Sequence, residues 1–164
     1  GNYAGKVNKI NEYKAIPFII AIGDNNKRKD IFFELIKKEY KIISLIHQSS
    51  FVSKYTKIGK GTVVMPKTVI NASTKISNSC IINTSSSIDH DCSINSFCHI
   101  CPGVNIAGGV KIGKLSFIGI GTKIIQNIRI GTNVTIGAGT IVHKDISSNT
   151  KYYNSQNTII NEKK

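Results

Sequence analysis

His90 and Asp91 are adjacent in the segment Ile88-Asp89-His90-Asp91-Cys92-Ser93, and between Lys75 and Lys111 the only Asp, Glu, Lys or Arg residues are Asp89 and Asp91. A histidine beside a carboxylate in a segment so low in charge suits general base catalysis, because the carboxylate favours the imidazolium formed when the ring takes a proton. A surface histidine that merely neighbours an aspartate accounts for the pair equally well. Eighteen residues beyond His90 is Gly108, in Ala107-Gly108-Gly109. A glycine there leaves room for a ligand against the backbone and exposes an N–H as an oxyanion donor, although glycine pairs also serve tight corners. Asn83 precedes His90 by seven residues, His99 follows it by nine, and Ile120 and Ala138 form a further pair eighteen apart. A metal site would need a third histidine beside His90 and His99. His143 is about three coils from His90 and His47 precedes the repeats, so no metal is expected.

The elements that must position these residues are set by a repeat. From Ile58 to Val142, fifteen successive positions six apart are all Ile or Val, and Val52 extends the series backwards. Four places after each aliphatic the chain carries mostly small or β-branched residues, among them Thr62, Thr68, Thr74, Cys80, Ser86, Cys92 and Cys98. Such residues suit the inside corner of a narrow coil of short strands. A six-residue period predicts a mainly β protein, a parallel β-helix in which three hexads make one triangular coil. Residues eighteen apart then stack at the strand spacing of about 4.8 Å, which stacks Gly108 on His90 and puts His99 on a different face. Hexads from residue 52 to 147 make a rod roughly 25 Å long. Its flat outer faces predict side-by-side packing as a cyclic homotrimer, in which His99 could meet a neighbour's His90 edge. Residues 49–147 are assigned to the β-helix and 148–164 to a C-terminal cap or tail.

Ahead of the rod, residues 1–48 predict a small, partial Rossmann-like β-α-β unit. Pro17 to Ile22 reads as a buried strand closed by Gly23-Asp24-Asn25, Asn26 to about Glu39 as a helix capped by Asp24 or Asn25, and Lys41 to Ile46 as a second strand. In such units ligands sit beyond the strand C-terminus, which makes Gly23, Asp24 and Asn25 a candidate substrate-binding turn. A turn that simply caps the helix is the blander reading, and Lys27, Arg28 and Lys29 read as a solvated helix face.

The chain has 164 residues and a net charge of +13. That length holds one β-helix and a small cap. Basic residues gather toward the rod ends, the middle is nearly neutral, and the coils hold few aromatics, chiefly Phe97 and Phe117. That argues against nucleic acid and for a phosphate-bearing small ligand. Without a signal-peptide pattern or a run of eighteen apolar residues, a soluble cytoplasmic protein that does not engage membranes is expected. Cys80, Cys92 and Cys98 fall on the inward register, where free cysteine acts as a compact hydrophobe. Cys80 and Cys98 should stack, and a reducing cytoplasm would keep them unpaired.

The hexads resemble those of the hexapeptide-repeat acyltransferases. The segments Asn83-Thr84-Ser85-Ser86-Ser87-Ile88-Asp89-His90-Asp91, Phe97-Cys98-His99-Ile100-Cys101-Pro102-Gly103 and Ala107-Gly108-Gly109 resemble those of bacterial sugar acetyltransferases, the sialic-acid O-acetyltransferases and the UDP-4-amino-sugar (bacillosamine) N-acetyltransferases. Ala21-Ile22-Gly23-Asp24-Asn25 is similar to part of that family's nucleotide-binding domain. The resemblance spans roughly residues 15–146. It implies a left-handed β-helix, a homotrimer, and acetyl-CoA held between neighbouring rods. It further implies His90 as general base with Asp91 raising its basicity, Asn83 and His99 contacting acetyl-CoA, Gly108 at the thioester, and Ile120 and Ala138 along the pantetheine channel. Transfer to the 4-amine of a nucleotide-linked amino sugar, by direct attack in a ternary complex, is the expected reaction. Sialic acid O-acetylation is the alternative, and a catalytically impaired or structural trimeric rod is the alternative of another class. Family members begin with a strand and a glycine-rich loop that this chain starts after, which implies an incomplete acceptor site. The segment Tyr152-Tyr153-Asn154-Ser155-Gln156 also differs from the family's usual Asn-Pro-Ala-like ending.

Overall fold

The computed structural model describes residues 16–153 and 159–160. Each hexad supplies one two-residue strand, and the strands stack into three parallel sheets of eight, six and five members. In each stack, residues eighteen apart are partners, as in Ile70↔Ile88 and Ile100↔Ile118. The result is a three-sided parallel solenoid of about six turns, as the left-handed β-helix expectation requires. The aliphatic column forms its core, with Ile70, Ile82, Ile88, Ile94, Ile100 and Ile112 fully buried.

The second register does more than fill corners. The hydroxyls of Thr62, Thr68, Thr74, Ser116 and Thr122 each donate to a carbonyl fifteen residues ahead, at 2.7–3.1 Å. The thiols of Cys80, Cys92 and Cys98 do the same at 3.0–3.2 Å. These bonds satisfy corner carbonyls with donors whose own side chains are buried. All four cysteines are free and buried. Burial pushes the Cys101 thiol up to about 11.

From Gly61 to Gly139 every corner also turns through a left-handed residue, three places after the aliphatic: Gly61, Ser73, Ser79, Ser85, Asp91 and Gly103 are examples. Glycine, serine and asparagine suit that backbone. Phe97 (φ 65°) and Leu115 (φ 62°) do not, and they stand one above the other. The reason is the N-terminal segment packed against this corner. Helix α1 (Asn25–Lys37) buries Phe32 and Leu35, and Phe32 meets Phe97 edge-on with ring centroids 5.5 Å apart. Gly61 on the same corner lies so close that an added Cβ would stand 3.1 Å from Ile42 and 3.3 Å from Phe32.

Two expectations change at the ends. The Rossmann-like unit is not established: around α1 the chain forms a single parallel bridge, Phe18↔Ile42, and Ile19 to Ile22 is irregular. The expected second strand divides, because Leu45–Ile46 pairs with Val63–Val64 and begins the eight-stranded sheet. A solenoid edge offers a full set of ladder partners, which a two-strand unit cannot. At the other end the hexads skip two residues and resume. Ile146 bridges Ile130, sixteen residues back, and Lys151–Tyr152 pairs with Thr135–Ile136. Ile159–Ile160 then pairs antiparallel with Lys151–Tyr152, closing that sheet. The expectations for residues 1–15 and for Asn154 to Gln156 lie outside the described residues. Among the described residues, no helix is long and apolar enough to cross a membrane.

Candidate active site

His90 and Asp91 sit at the corner between Ser87–Ile88 and Ser93–Ile94. The His90 Nδ1 lies 2.7 Å from Asp91 Oδ2. A carboxylate only accepts, so Nδ1 carries the proton and Nε2 keeps its lone pair for a substrate. The hydrogen bond to Asp91, followed by the charge of Asp89, raises the His90 pKa above the ordinary imidazole value. Asp89 is itself held below the usual carboxylate range, first by the Asn71 side-chain amide at 2.9 Å and then by the His90 N–H. The corner thus sets two carboxylates beside one imidazole.

Gly108 lies under the His90 ring, as the eighteen-residue spacing predicts. An added Cβ would stand 2.8 Å from both His90 Nε2 and Cε1. The Gly108 N–H donates to none of the described residues. His90 and Gly108 line one groove of about 480 Å³ together with Asp89, Asp91, Ala107, Gly109, Gln126 and Asn127.

His99 belongs to a second cluster. Its Nδ1 lies 3.3 Å from the carbonyl of Gly23, and its Nε2 lies 3.2 Å from Asn83 Nδ2. A carbonyl only accepts, so His99 is protonated on Nδ1 and accepts from Asn83 at Nε2. Desolvation lowers its pKa below the usual imidazole value, and the Arg28 charge adds to this against the opposing Gly23 carbonyl. Ile120 and Ala138, both exposed, ride on the same corner as Asn83, linked by the Gly139 N–H to the Ile120 carbonyl at 2.7 Å. The structure therefore groups Asn83, His99, Ile120 and Ala138 along one ridge and His90, Asp91 and Gly108 along another. A full face of the coil, the Ser87–Ile88 strand, separates the two ridges within one chain.

Arg28 positions the second cluster. Read from sequence as part of a solvated face, it is instead fully buried. Its guanidinium donates to the carbonyls of Ile22, Gly23, Ser79, Phe97 and Cys98 and to Asn25 Oδ1, at 2.6–3.2 Å. Asn25 Nδ2 in turn donates to the carbonyls of Leu115 and Ser116, and Asp24 caps α1 by accepting from the Lys27 N–H. Gly23, Asp24 and Asn25 thus use these polar groups in anchoring the helix, with Gly23 also reaching His99. The signal that could have revealed Arg28 is indirect: two bulky residues, Phe97 and Leu115, at corner positions that call for glycine mark where another element docks. Among the described residues no group of three His, Cys, Asp or Glu side chains is placed to hold a metal ion.

No family model matches the chain. It is 31% identical to a variant of perosamine N-acetyltransferase from Caulobacter crescentus, solved in complex with CoA and GDP-perosamine, over 93% of this chain and 73% of that one, with a TM-score of 0.89. It is 34% identical to the acetyltransferase domain of PglB from Neisseria gonorrhoeae over 87% of this chain and 69% of that one, with a TM-score of 0.84. UDP-N-acetylbacillosamine N-acetyltransferase from Bacillus subtilis is 46% identical over 48 residues, which span 29% of this chain and 22% of that relative. With the solenoid, the histidine corner and identity above 30% over two thirds or more of two solved relatives in agreement, the chain belongs to the hexapeptide-repeat amino-sugar N-acetyltransferases.

Proposed function

We propose that this chain transfers an acetyl group from acetyl-CoA to the 4-amine of a nucleotide-linked amino sugar, working as one subunit of a homotrimer. The observation that carries this is the His90–Asp91 pair standing over Gly108, with Nε2 free and an unpaired N–H beside it. In this reading the amine attacks the thioester carbonyl carbon while His90 Nε2 takes the N–H proton. The Gly108 N–H donates to the developing oxyanion, and collapse breaks the C–S bond, the departing thiolate taking the proton from His90 to leave as the CoA thiol. Asn83, His99, Ile120 and Ala138 hold acetyl-CoA from a neighbouring copy, because one chain cannot bring the two ridges together. The Gly23-Asp24-Asn25 turn borders the acceptor beside that His99.

The trimer is supported by where apolar surface is left uncovered. Phe51, Val69 and Ile141 face outward from one sheet, and Leu45 and Phe117 from another, each at least 36% exposed. Packing copies around an axis would cover these faces and exclude water from an otherwise open His90, whose side chain is 62% exposed. Four free cysteines accord with a reducing cytoplasm as the site of the reaction.

The test is mass-spectrometric detection of acetyl transfer from acetyl-CoA to UDP- and GDP-linked 4-amino sugars and to free and CMP-linked sialic acid, with wild type and His90→Ala. A His90-dependent acetylated amino sugar is expected. Product on sialic acid alone would shift the reaction to O-acetylation. Absence of both product and acetyl-CoA binding would leave a structural rod.

A further inference from the structure

At the corner that carries His90, the first residue after each aliphatic forms a stacked column: Asn71, Asp89 and Ala107 follow the paired residues Ile70, Ile88 and Ile106. An amide, a carboxylate and a methyl thus succeed one another along about 10 Å of the rod. Asn71 Nδ2 donates to Asp89 Oδ1 at 2.9 Å, and the same oxygen accepts the His90 backbone N–H at 2.8 Å. The neighbouring backbone bonds run between coils, from the Gly109 N–H to the His90 carbonyl and from the Asp91 N–H to the Ala72 carbonyl, at 2.9 and 3.0 Å. The His90 N–H has no such coil partner, and the Asp89 side chain takes it up instead. Short polar side chains offer the backbone this local alternative to a ladder bond. Thr84 has the same arrangement, its N–H donating to Asn83 Oδ1 at 2.8 Å.

One coil on, the tie is missing. Gly108 holds the backbone position of His90, but Ala107 stands where Asp89 does and has no acceptor, and the Gly108 N–H donates to none of the described residues. Parallel coils in register point equivalent N–H groups the same way, about 4.8 Å apart. The corner therefore has two equivalent amides, one tied by a carboxylate and one unpaired, on two residues that line the same groove. The tie is also braced, since Asn71 holds Asp89 from the coil before. The hexad itself asks for neither feature: elsewhere the same repeat position carries Met65, Cys101, Gly119 and Ile125.

We propose that this column sets base and donor at the corner: Asp89, braced by Asn71, is a positioning residue that fixes the His90 backbone and occupies its N–H, and Ala107 leaves the Gly108 N–H unpaired for the developing oxyanion. This rests on the acetyltransferase reading and deepens it. Base and donor must be placed together, because the oxyanion forms on the carbon that the amine attacks as His90 takes its proton. The two aspartates divide the work, Asp91 holding the ring at Nδ1 and Asp89 the main chain. Asp89 also acts through charge, since after the Asp91 hydrogen bond it is the next cause of the raised His90 pKa. The coils on either side present Ala72, Ser73, Gly108 and Gly109 at this corner, none of them titratable. On the adjoining face Lys57, Lys75 and Lys111 line a groove of about 650 Å³ with Tyr55, Ser73 and Asp91. These cations border Asp91, and Asp89 is not among the residues of that groove.

The experiment compares the full chain with Asp89→Ala, Asp89→Asn, Asn71→Ala, Ala107→Asn and Ala107→Leu, by amide hydrogen exchange, acetyl-CoA titration and acetyl transfer to UDP- and GDP-linked 4-amino sugars. In wild type, corrected for intrinsic rates, the His90 N–H should exchange about tenfold more slowly than the Gly108 N–H. Equal exchange overturns the proposal whether or not the chain is active. Asp89→Ala should release the His90 N–H and lower kcat about 10²-fold, with the Kd for acetyl-CoA changed less than about twofold. Asn71→Ala should lower kcat less, about tenfold. Asp89→Asn keeps the accepting oxygen, as Asn83 does for Thr84, so kcat at its pH optimum should recover to within about tenfold of wild type. The charge is gone, so the acid limb of kcat/KM should move to lower pH. Turnover in Asp89→Asn as low as in Asp89→Ala overturns the backbone tie. Ala107→Asn should tie the Gly108 N–H and lower kcat by about 10²–10³-fold, whereas Ala107→Leu, of similar bulk and without an acceptor, should lose far less. Equal loss in those two variants, or wild-type kcat in Asp89→Ala, overturns the proposal. The acetyltransferase reading fails by a different result, the absence of His90-dependent acetyl transfer and of acetyl-CoA binding.

Discussion

His90 and His99 are nine residues apart in the same repeat, yet the fold gives them opposite characters. His90 stands exposed at a corner, hydrogen-bonded to Asp91, with its pKa raised. His99 is on a face, covered by the α1 segment and in edge contact with Phe117 at 5.2 Å, with its pKa lowered. Both are protonated on Nδ1, but for different reasons: a charged carboxylate in one case, a neutral backbone carbonyl in the other. A carboxylate stabilises the imidazolium, so His90 can take a proton and hold it. A neutral carbonyl fixes the tautomer but favours the charge too little to offset desolvation, so His99 stays a neutral, oriented contact. The comparison separates a group that moves a proton from one that holds a position.

The largest expected effect breaks the first half of that contrast. His90→Ala should lower turnover by about 10²–10⁴-fold and leave thermal unfolding unchanged, because the side chain is exposed. Wild-type turnover in that variant would remove His90 from the chemistry. Next comes Gly108→Ala. Its backbone is unstrained and the atoms it meets belong to an exposed ring, so the ring should swing aside at little cost in stability. A misplacement of about 1 Å at the base costs on the order of 10² in rate, and full activity in this variant would show that His90 works from some other position.

Arg28→Met tests the second half. Five carbonyls and the Asn25 side chain lose a buried donor, so stability should fall by about 3 kcal/mol or more in denaturant unfolding. In nitrogen-resolved NMR titrations His99 should move back toward the ordinary imidazole pKa, while His90 is unaffected. A silent Arg28→Met would mean that the α1 segment does not set the state of His99. The smallest effect is that of Asp91→Asn. Activity requires neutral His90, so kcat/KM falls as pH drops through its raised pKa. Removing the carboxylate that raises it should shift that acid limb to lower pH, and a limb that stays in place would assign the titration to another group.

Much of this was legible in the sequence because a solenoid is nearly one-dimensional. Stacking is a matter of counting to eighteen, so Gly108 beneath His90 and the separation of His90 from His99 both followed from the period. The adjacent Asp91 was visible for the same reason. The N-terminal segment was less legible. Apolar residues from Phe18 to Ile22 and from Lys41 to Ile46 satisfy a strand pattern, yet the pattern does not say which partner a strand will choose. Leu45–Ile46 chose the solenoid edge. Arg28 was misread because charge on a helix is usually solvated, and only docking supplies the carbonyls that let a guanidinium be buried.

By itself, then, the sequence determined the coil, its core column, its hydroxyl and thiol corners and the pairing of His90 with Asp91 and Gly108. All of these depend on residues related by short fixed spacings. The tertiary structure alone decided that Arg28 is an internal clamp, that His99 faces a carbonyl, and that Lys57, Lys75 and Lys111 share a groove with Tyr55 and Asp91. Each of these depends on which surfaces meet across the coil or outside the repeat, and no period encodes that.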